Sequence, residues 1–158
     1  MFSNDLICEI IKYLNSNINN KIAISDIEKK FHYNRYYIMK LFKKEIGLSI
    51  IEYINSIRIY NSLKQMKSTN NKLINIAYNN GFYSIEYFSE IFKKNVGVKP
   101  AVAKKFFNTY KNVNIIDEKK IITSFSNLYN LSEKINKYLL NQKNDKQNTK
   151  VLTIFKKL

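Results

Sequence analysis

The sequence predicts an all-α fold built from two similar helical units. One observation is an internal repeat: LFKKEIGLS, residues 41–49, returns fifty residues later as IFKKNVGVK, residues 91–99. The other is the composition, with only three Gly and one Pro in 158 residues but 45% hydrophobic residues. This composition favours helices separated by polar turns over a strand-rich fold. Two copies are too few for a self-stacking solenoid, so the repeat indicates a duplicated helical module.

Before the first unit, a helix over about residues 4–18 is predicted by the helical spacing of its apolar residues Leu6, Ile7, Ile10, Ile11 and Leu14. A second helix is expected to begin at a capping box formed by Ser25 and Glu28 and to end near Phe31. After a tight turn, Asn34 is the predicted N-cap of a third helix, which Gly47 ends. We expect Ile38, Leu41 and Phe42 to face inward. The order of helix, short turn and helix is that of a helix-turn-helix motif.

A long helix is predicted to join the two units. Ser49 and Glu52 form a capping box that opens it, and it extends to about Met66, before the polar segment KSTNN. Its apolar residues are expected to form one stripe that packs against both units, made of Ile50, Tyr53, Ile54, Ile57, Tyr60 and Leu63.

The second unit repeats the layout of the first. A short helix places Leu73, Ile76 and Ala77 inward, a turn follows at Gly81, and Ser84 caps a further helix. In that helix Phe88, Ile91 and Phe92 are predicted to face the core. Gly97 and Pro100 end it and begin a last helix, AVAKKFF.

The charge balance points to a polyanionic partner. The chain has 27 basic and 12 acidic residues, a formal charge of +15, which is typical of nucleic-acid-binding proteins. An AT-rich genome is the alternative cause, because its codons favour Lys, Asn, Ile and Tyr. Residues 1–107 carry +9 and residues 108–158 carry +6, so charge alone does not locate the site.

Several classes of protein do not fit the sequence. One cysteine, Cys8, excludes an internal disulfide framework and a cysteine-rich zinc site, and we expect it to pack in the core. His32 is the one histidine and lacks partners for a metal site or catalytic triad. No apolar run approaches the roughly 18 residues of a membrane span, and the start has no basic leader. We expect a soluble cytoplasmic protein that is not an enzyme and uses no metal or cofactor.

The residues of both units together resemble the DNA-binding domain of AraC-type (arabinose-regulator-like) transcription factors. The resemblance is carried by LFKKEIGLSIIEYI, Arg58, INIAYNNGF and YFSEIFKKNVGVKP, and by the pattern IAxxxGFxxxxYFxxxFKKxxGxxP in residues 76–100. It implies a homeodomain-like DNA-binding domain over residues 4–107, with helix-turn-helix units at about 24–46 and 72–95 and a linker helix at about 49–66. Because the domain begins almost at Met1, the chain resembles the stand-alone members of the family. The DNA-repair regulators that share this domain need a cysteine-rich module, which this sequence lacks.

The resemblance implies a sequence-specific regulator of transcription that binds double-stranded DNA, acting as an activator through contact with RNA polymerase. Its two recognition helices would enter successive major grooves, which lie about 34 Å apart. A linker helix of roughly 18 residues spans about 27 Å, which is compatible with that placement. The alternative is a degenerate or truncated regulator that acts as a protein-interaction module or antagonist and reads DNA weakly.

Candidate DNA-binding residues follow from matching the family's base-reading face. In the first recognition helix they are Arg35, Tyr36, Met39 and Lys40, with Lys43 and Lys44 near the DNA backbone. In the second they are Ser84, Ile85, Glu86, Tyr87, Ser89 and Glu90, with Lys93 and Lys94. Each could instead be a solvated surface residue, and Tyr36 or Met39 could be a core contact.

The two recognition helices differ in charge. Residues 34–44 total +4 and residues 84–94 total zero, and Glu90 stands where many family members have a basic base-reading residue. A glutamate can accept a hydrogen bond from cytosine N4, but carboxylates are repelled by phosphates. We therefore expect the first unit to read bases and the second to contribute less.

The remainder, residues 108–158, lies outside the resemblance. Its apolar residues between 117 and 142 follow helical spacing, and we expect Ile121, Phe125, Leu128, Ile135 and Leu139 to be buried. The polar stretch NQKNDKQNTK is predicted to be disordered, and VLTIF could form a short strand. Three interpretations stay open: a helical appendage packed on the domain, a dimerisation element, or the remnant of an effector domain. The protein would accordingly be a monomer or a dimer.

Overall fold

The computed structural model describes residues 3–109, and seven helices account for most of that range. They are α1 (Ser3–Ser16), α2 (Ile24–Phe31), α3 (Arg35–Ile46), α4 (Ile50–Ser68), α5 (Leu73–Asn79), α6 (Ile85–Val96) and α7 (Pro100–Thr109). The predictions for the C-terminal segment fall outside the described residues, apart from residues 108 and 109 at the end of α7.

Two hydrophobic cores form along α4, one against each half of the helix. The first core joins α1, α2 and α3 to the first half of α4, and it buries the apolar side of α1 as predicted. The second joins α5, α6 and α7 to the second half of α4, around Phe82, Phe88 and Phe92. Phe88 lies 5.1 Å from Phe82 and 5.5 Å from Phe92, ring centre to ring centre, in edge-to-face arrangements that aromatic pairs favour.

The internal repeat covers the C-terminal halves of α3 and α6, the two predicted recognition helices, and both helices begin and end alike. The predicted N-caps are confirmed: Asn34 Oδ1 accepts the N–H of Tyr36 at 2.8 Å, and Ser84 Oγ accepts the N–H of Tyr87 at 3.2 Å. Both helices end at a glycine with a positive φ, +81° at Gly47 and +88° at Gly97. A residue without Cβ adopts this conformation readily, which explains why the glycine recurs at the same place in both copies.

The predicted capping box at the start of α2 is wrong. The helix begins at Ile24, and its N-cap is Ala23, whose N–H donates to Asp26 Oδ2 at 3.2 Å. Ile24 packs against the first core, so burial of this side chain accompanies a helix start earlier than the local capping signal indicates. Glu28 therefore does not cap its own helix, and its carboxylate contacts Arg35 at the start of α3.

The linker helix starts as predicted but is buried differently. Glu52 N–H donates to Ser49 Oγ at 3.2 Å and Ser49 N–H donates to Glu52 Oε2 at 2.9 Å, which confirms that capping box. The single apolar stripe is wrong, because Tyr60 is only half-buried while α4 also buries Ile59, Met66, Asn55, Ser56, Arg58 and Ser62. The helix passes between two cores and is therefore covered on more than one side.

Arg58 ties the loop after α1 to the second unit through this polar part of α4. Its Nε donates to the carbonyl oxygen of Ile18 and its Nη2 to that of Asn20, both at 2.8 Å. The guanidinium also lies 5.9 Å from the centre of the Phe82 ring. Burial lowers the pKa of Arg58, and the two carbonyl oxygens give the buried cation the acceptors it needs.

Candidate nucleic-acid interface

The N-terminal half of α3 presents its predicted base-reading side chains to solvent. Tyr36 is 72% exposed and Met39 is 43% exposed, so neither is a core residue. On the opposite side of the helix Ile38, Leu41 and Phe42 are buried in the first core, as predicted. The burial of one face leaves the other free to contact a large partner.

Arg35, the first residue of α3, is held by Glu28 of the preceding helix. Its N–H donates to Glu28 Oε1 at 2.7 Å, and its Nε lies 3.4 Å from Glu28 Oε2. The Arg35 side chain is 66% exposed and that of Glu28 is 26% exposed. The partly buried carboxylate of Glu28 therefore holds Arg35 at its main-chain N–H and at Nε, while the Arg35 side chain stays largely exposed to solvent.

The positive charge of α3 lies toward its C-terminal half. Lys40, Lys43 and Lys44 are all exposed, and Lys44 Nζ lies 3.8 Å from Glu45 Oε1. Lysines on an exposed helical face suit the phosphate backbone of DNA, since each phosphate carries one negative charge.

Glu52, at the start of α4, has a carboxylate whose charged form is favoured. The pKa of Glu52 is lowered mainly by hydrogen bonds from the N–H and hydroxyl of Ser49, and further by the nearby positive charges of Lys43 and Lys94. One lysine from each recognition helix thus acts on the same carboxylate.

The N-terminal turn of α6 is occupied by its own hydrogen bonds. Ser84 Oγ donates to Glu86 Oε2 at 2.6 Å while accepting the N–H of Tyr87. The hydrogen bond from Ser84 lowers the pKa of the exposed Glu86, which favours its charged form. The first turn of α6 therefore carries a carboxylate, at the position that matches Tyr36 of α3, while Ile85 takes the place of Arg35.

Among the predicted residues of α6, several face the protein more than solvent. Ile85 is half-buried against the second core, and the Ser89 hydroxyl donates to the carbonyl oxygen of Ile85 at 2.8 Å. Glu90, Lys93 and Lys94 are exposed. The exposed charged side chains of α6 are therefore two carboxylates, Glu86 and Glu90, followed by two lysines near its C-terminal end, and the Tyr87 ring between the carboxylates is 42% exposed.

Sequence reasoning missed residues that support the recognition helices from neighbouring elements. Asn55 Nδ2 on α4 donates to the Tyr87 hydroxyl at 2.9 Å, and Glu28 holds Arg35. Tyr37 stacks on Tyr33 with ring centres 5.4 Å apart. The four-residue spacing of these two tyrosines was a usable signal for their pairing, whereas contacts between different helices leave no local signature.

The part of the chain that the structure describes contains no group of three or more His, Cys, Asp or Glu side chains that could hold a metal ion. Within the same residues no helix has both the length and the apolar character needed to cross a membrane. Cys8 is half-buried on α1, and burial raises the pKa of its thiol.

The chain is similar in sequence to known helix-turn-helix regulators of transcription. Residues 27–105 match a family model described as a helix-turn-helix domain. The chain is 27% identical over 118 residues to the HTH-type transcriptional activator AarP of Providencia stuartii, covering 75% of this chain and 87% of that protein. It is 32% identical over 92 residues to the bifunctional transcriptional activator/DNA repair enzyme AdaA of Bacillus subtilis, covering 58% of this chain but only 44% of AdaA.

Among solved structures, a transcriptional regulator from Chromobacterium violaceum, of the AraC-type DNA-binding-domain-containing proteins, has the same fold. The TM-score is 0.60 at 20% identity, and the match covers 66% of this chain and 94% of that one.

Proposed function

The chain belongs to the AraC-type helix-turn-helix family, and we propose that it regulates transcription by binding a specific double-stranded DNA sequence. The observation that carries the proposal is the N-terminal half of α3, where Arg35, Tyr36 and Met39 project into solvent from a capped, well-packed helix. A rigid helix with exposed polar and apolar side chains in its first turns suits the major groove.

The spacing of the units supports binding to two successive grooves. The 19 residues of α4 span about 28 Å at about 1.5 Å per residue. Successive major grooves on one face of a duplex lie about 34 Å apart, so a linker helix of this length is compatible with α3 and α6 entering successive grooves.

In this proposal α3 supplies most of the readout. Arg35 donates to a guanine, and Tyr36 and Met39 lie against thymine methyl groups. Lys40, Lys43 and Lys44 contact phosphates, which contribute affinity that depends on salt but not on sequence.

The proposed contribution of α6 is smaller and of a different kind. Glu86 and Glu90 can accept hydrogen bonds from cytosine N4, while Lys93 and Lys94 contact the backbone. Ser84, Ile85 and Ser89 shape the start of the helix, because their polar or apolar groups already have partners within the protein.

We extend the proposal to activation of transcription with RNA polymerase as a partner, on the basis of the named activator AarP, most of whose length the chain matches. The protein would act in the cytoplasm, where bacterial DNA lies, and by binding and not by catalysis. We also propose that the protein binds DNA as a monomer or as a dimer. Its oligomeric state is measured alongside the DNA titrations.

The test is to select DNA sites from a random library with the full chain and then titrate the best site against a scrambled duplex. We expect the selected site to bind at least about a thousandfold more tightly near 0.15 M salt, the lower end for specific DNA-binding proteins. Equal affinity for both duplexes would contradict sequence-specific regulation.

The carboxylates of α6 favour a second candidate, a regulator that antagonises another protein. Glu86 and Glu90 place negative charge on a recognition helix, which disfavours close approach to phosphates. If the titration shows no sequence preference while the chain binds RNA polymerase directly, this second function replaces the first.

A further inference from the structure

Glu28 lies on α2, outside the recognition helix, yet its carboxylate contacts Arg35 at two points. Oε1 accepts the main-chain N–H of Arg35 at 2.7 Å, and Oε2 lies 3.4 Å from the side-chain Nε. The first N–H groups of a helix have no partner within the helix, so the first contact caps α3. The second contact involves only the side chain of Arg35 and does not cap the helix.

This second contact determines which edge of the guanidinium remains available. A guanidinium has five N–H groups in a planar fork, one on Nε and four on the two Nη atoms. With Glu28 against Nε, the outer edge formed by Nη1 and Nη2 is left to face solvent from a side chain that is 66% exposed. Guanine offers two acceptors, O6 and N7, in the major groove, and a bidentate arginine pairs with both.

Holding the guanidinium in advance also reduces the entropy lost on binding. A long side chain that must be immobilised at an interface weakens binding, and preorganisation lowers that loss. The Glu28 carboxylate is well placed for this, since its side chain is only 26% exposed and sits on a helix packed in the first core through Ile27.

We propose that Glu28 is a positioning residue for base recognition, which presents the Nη1/Nη2 edge of Arg35 to O6 and N7 of one guanine. This inference rests on the proposed function, because it assigns the base specificity of the same DNA-binding site. It names guanine as the base that Arg35 reads and the neighbouring helix as the element that orients the readout.

The variant that separates the two contacts is Glu28→Gln. The amide oxygen of glutamine can still accept the main-chain N–H of Arg35, whereas its neutral NH2 group cannot form the ion pair with the guanidinium at Nε. Glu45→Gln is the matched control, because it removes the same charge from the same unit at a carboxylate that faces Lys44 and not Arg35. Thermal unfolding of both variants establishes that they remain folded.

The measurement begins with sites selected by the wild-type chain, among which Arg35→Ala identifies the guanine whose preference is lost. Wild type should discriminate at that base pair by roughly 5- to 150-fold, the range expected for a bidentate contact. Glu28→Gln should lose most of this discrimination while preferences at other positions persist, and Glu45→Gln should keep it. Adding Glu28→Gln to Arg35→Ala should cause no further loss at that base pair.

A second measurement needs no variant of the protein. Replacing the identified guanine by 7-deazaguanine removes N7 and should weaken wild-type binding, whereas inosine keeps O6 and N7 and should bind nearly as guanine does. Wild-type binding that is insensitive to the loss of N7 at every guanine of the site would overturn the inference.

Two further results would also overturn it. One is full discrimination by Glu28→Gln; the other is tighter binding by that variant with unchanged preferences, which would mean that Glu28 competes with DNA for Arg35. Either would leave the proposed function standing, because the wild-type chain would still select a site. A wild-type chain that selects no sequence at all would instead overturn the proposed function and this inference with it.

Discussion

Gly81 lies directly against the guanidinium of Arg58. A Cβ added at Gly81 would come within 2.9 Å of Arg58 Nε and within 3.0 Å of the Ile18 carbonyl oxygen that accepts from it. The turn of the second unit thus closes over a hydrogen bond between α4 and the loop after α1. A glycine is required there by close approach as well as by its φ of +78°.

Gly81→Ala should therefore destabilise the protein more than Gly97→Ala. Both glycines have a positive φ, and an alanine in that conformation costs about 1–2 kcal/mol at either site. A Cβ at Gly97 has no heavy atom within 4 Å, so that variant loses only the conformational term. Displacing the buried Arg58 should cost Gly81→Ala at least about 1 kcal/mol more, measured by urea unfolding. Equal losses would show that Arg58 moves aside freely.

The two recognition helices should contribute unequally to DNA binding. Arg35→Ala should weaken binding to a selected site by roughly 1–3 kcal/mol and relax the preference at one base pair. Glu90→Ala should change affinity little, and Glu90→Arg should strengthen binding by removing a carboxylate and adding a cation. The three affinities are measured on one duplex. If Glu90→Ala loses as much as Arg35→Ala and alters the preference in the second half-site, the unequal model is wrong.

DNA binding should weaken steeply with salt, because the chain carries a formal charge of +15 and exposes lysines on both recognition helices. If about six phosphates are neutralised, the logarithm of affinity should fall with the logarithm of salt at a slope of about −5. Lys43→Gln should reduce that slope by about one while leaving base preferences unchanged. Fluorescence anisotropy at several salt concentrations provides the slope, and a value near zero would exclude phosphate contacts as the source of affinity.

Stability should fall at acidic pH in part through Glu52. Its pKa is lowered from the ordinary value of 4.5 by hydrogen bonds from Ser49, so the folded state favours the charged carboxylate. A lowered folded-state pKa contributes stability above the unfolded pKa, and that stability is lost as the pH falls through the folded pKa. Glu52→Gln should therefore flatten the decline in urea stability as the pH falls below about 5. If the stability of Glu52→Gln declines as steeply as that of the wild type, other carboxylates cause the decline.

Local sequence signals predicted most of the helices correctly. Asn34, Ser49 and Ser84 cap helices as their residue types predict, and Gly47 and Gly97 end them in the left-handed conformation. These signals are readable because a cap depends on a side chain and a backbone group within three residues of each other. The repeat then indicated that the same arrangement occurs twice.

Other features of the same helices could not be predicted from residues close together in the chain. The start of α2 was misplaced, since Ile24 packs on the first core while the capping signal lies at Ser25. The linker helix was assigned one apolar stripe, because the spacing of its apolar residues does not reveal that the two cores bury residues outside the stripe as well. Burial of its polar residues depends on partners far along the chain.

By itself, the sequence determined the helical class and the caps, which depend on neighbours close in the chain, and the duplicated unit, which is visible as a repeat. Tertiary structure alone decided that Glu28 holds Arg35 and that Arg58 reaches the carbonyl oxygens of Ile18 and Asn20. The physical reason is that a hydrogen bond between helices depends on how the helices pack. That packing is set by burial summed over both cores, not by the residues that bond.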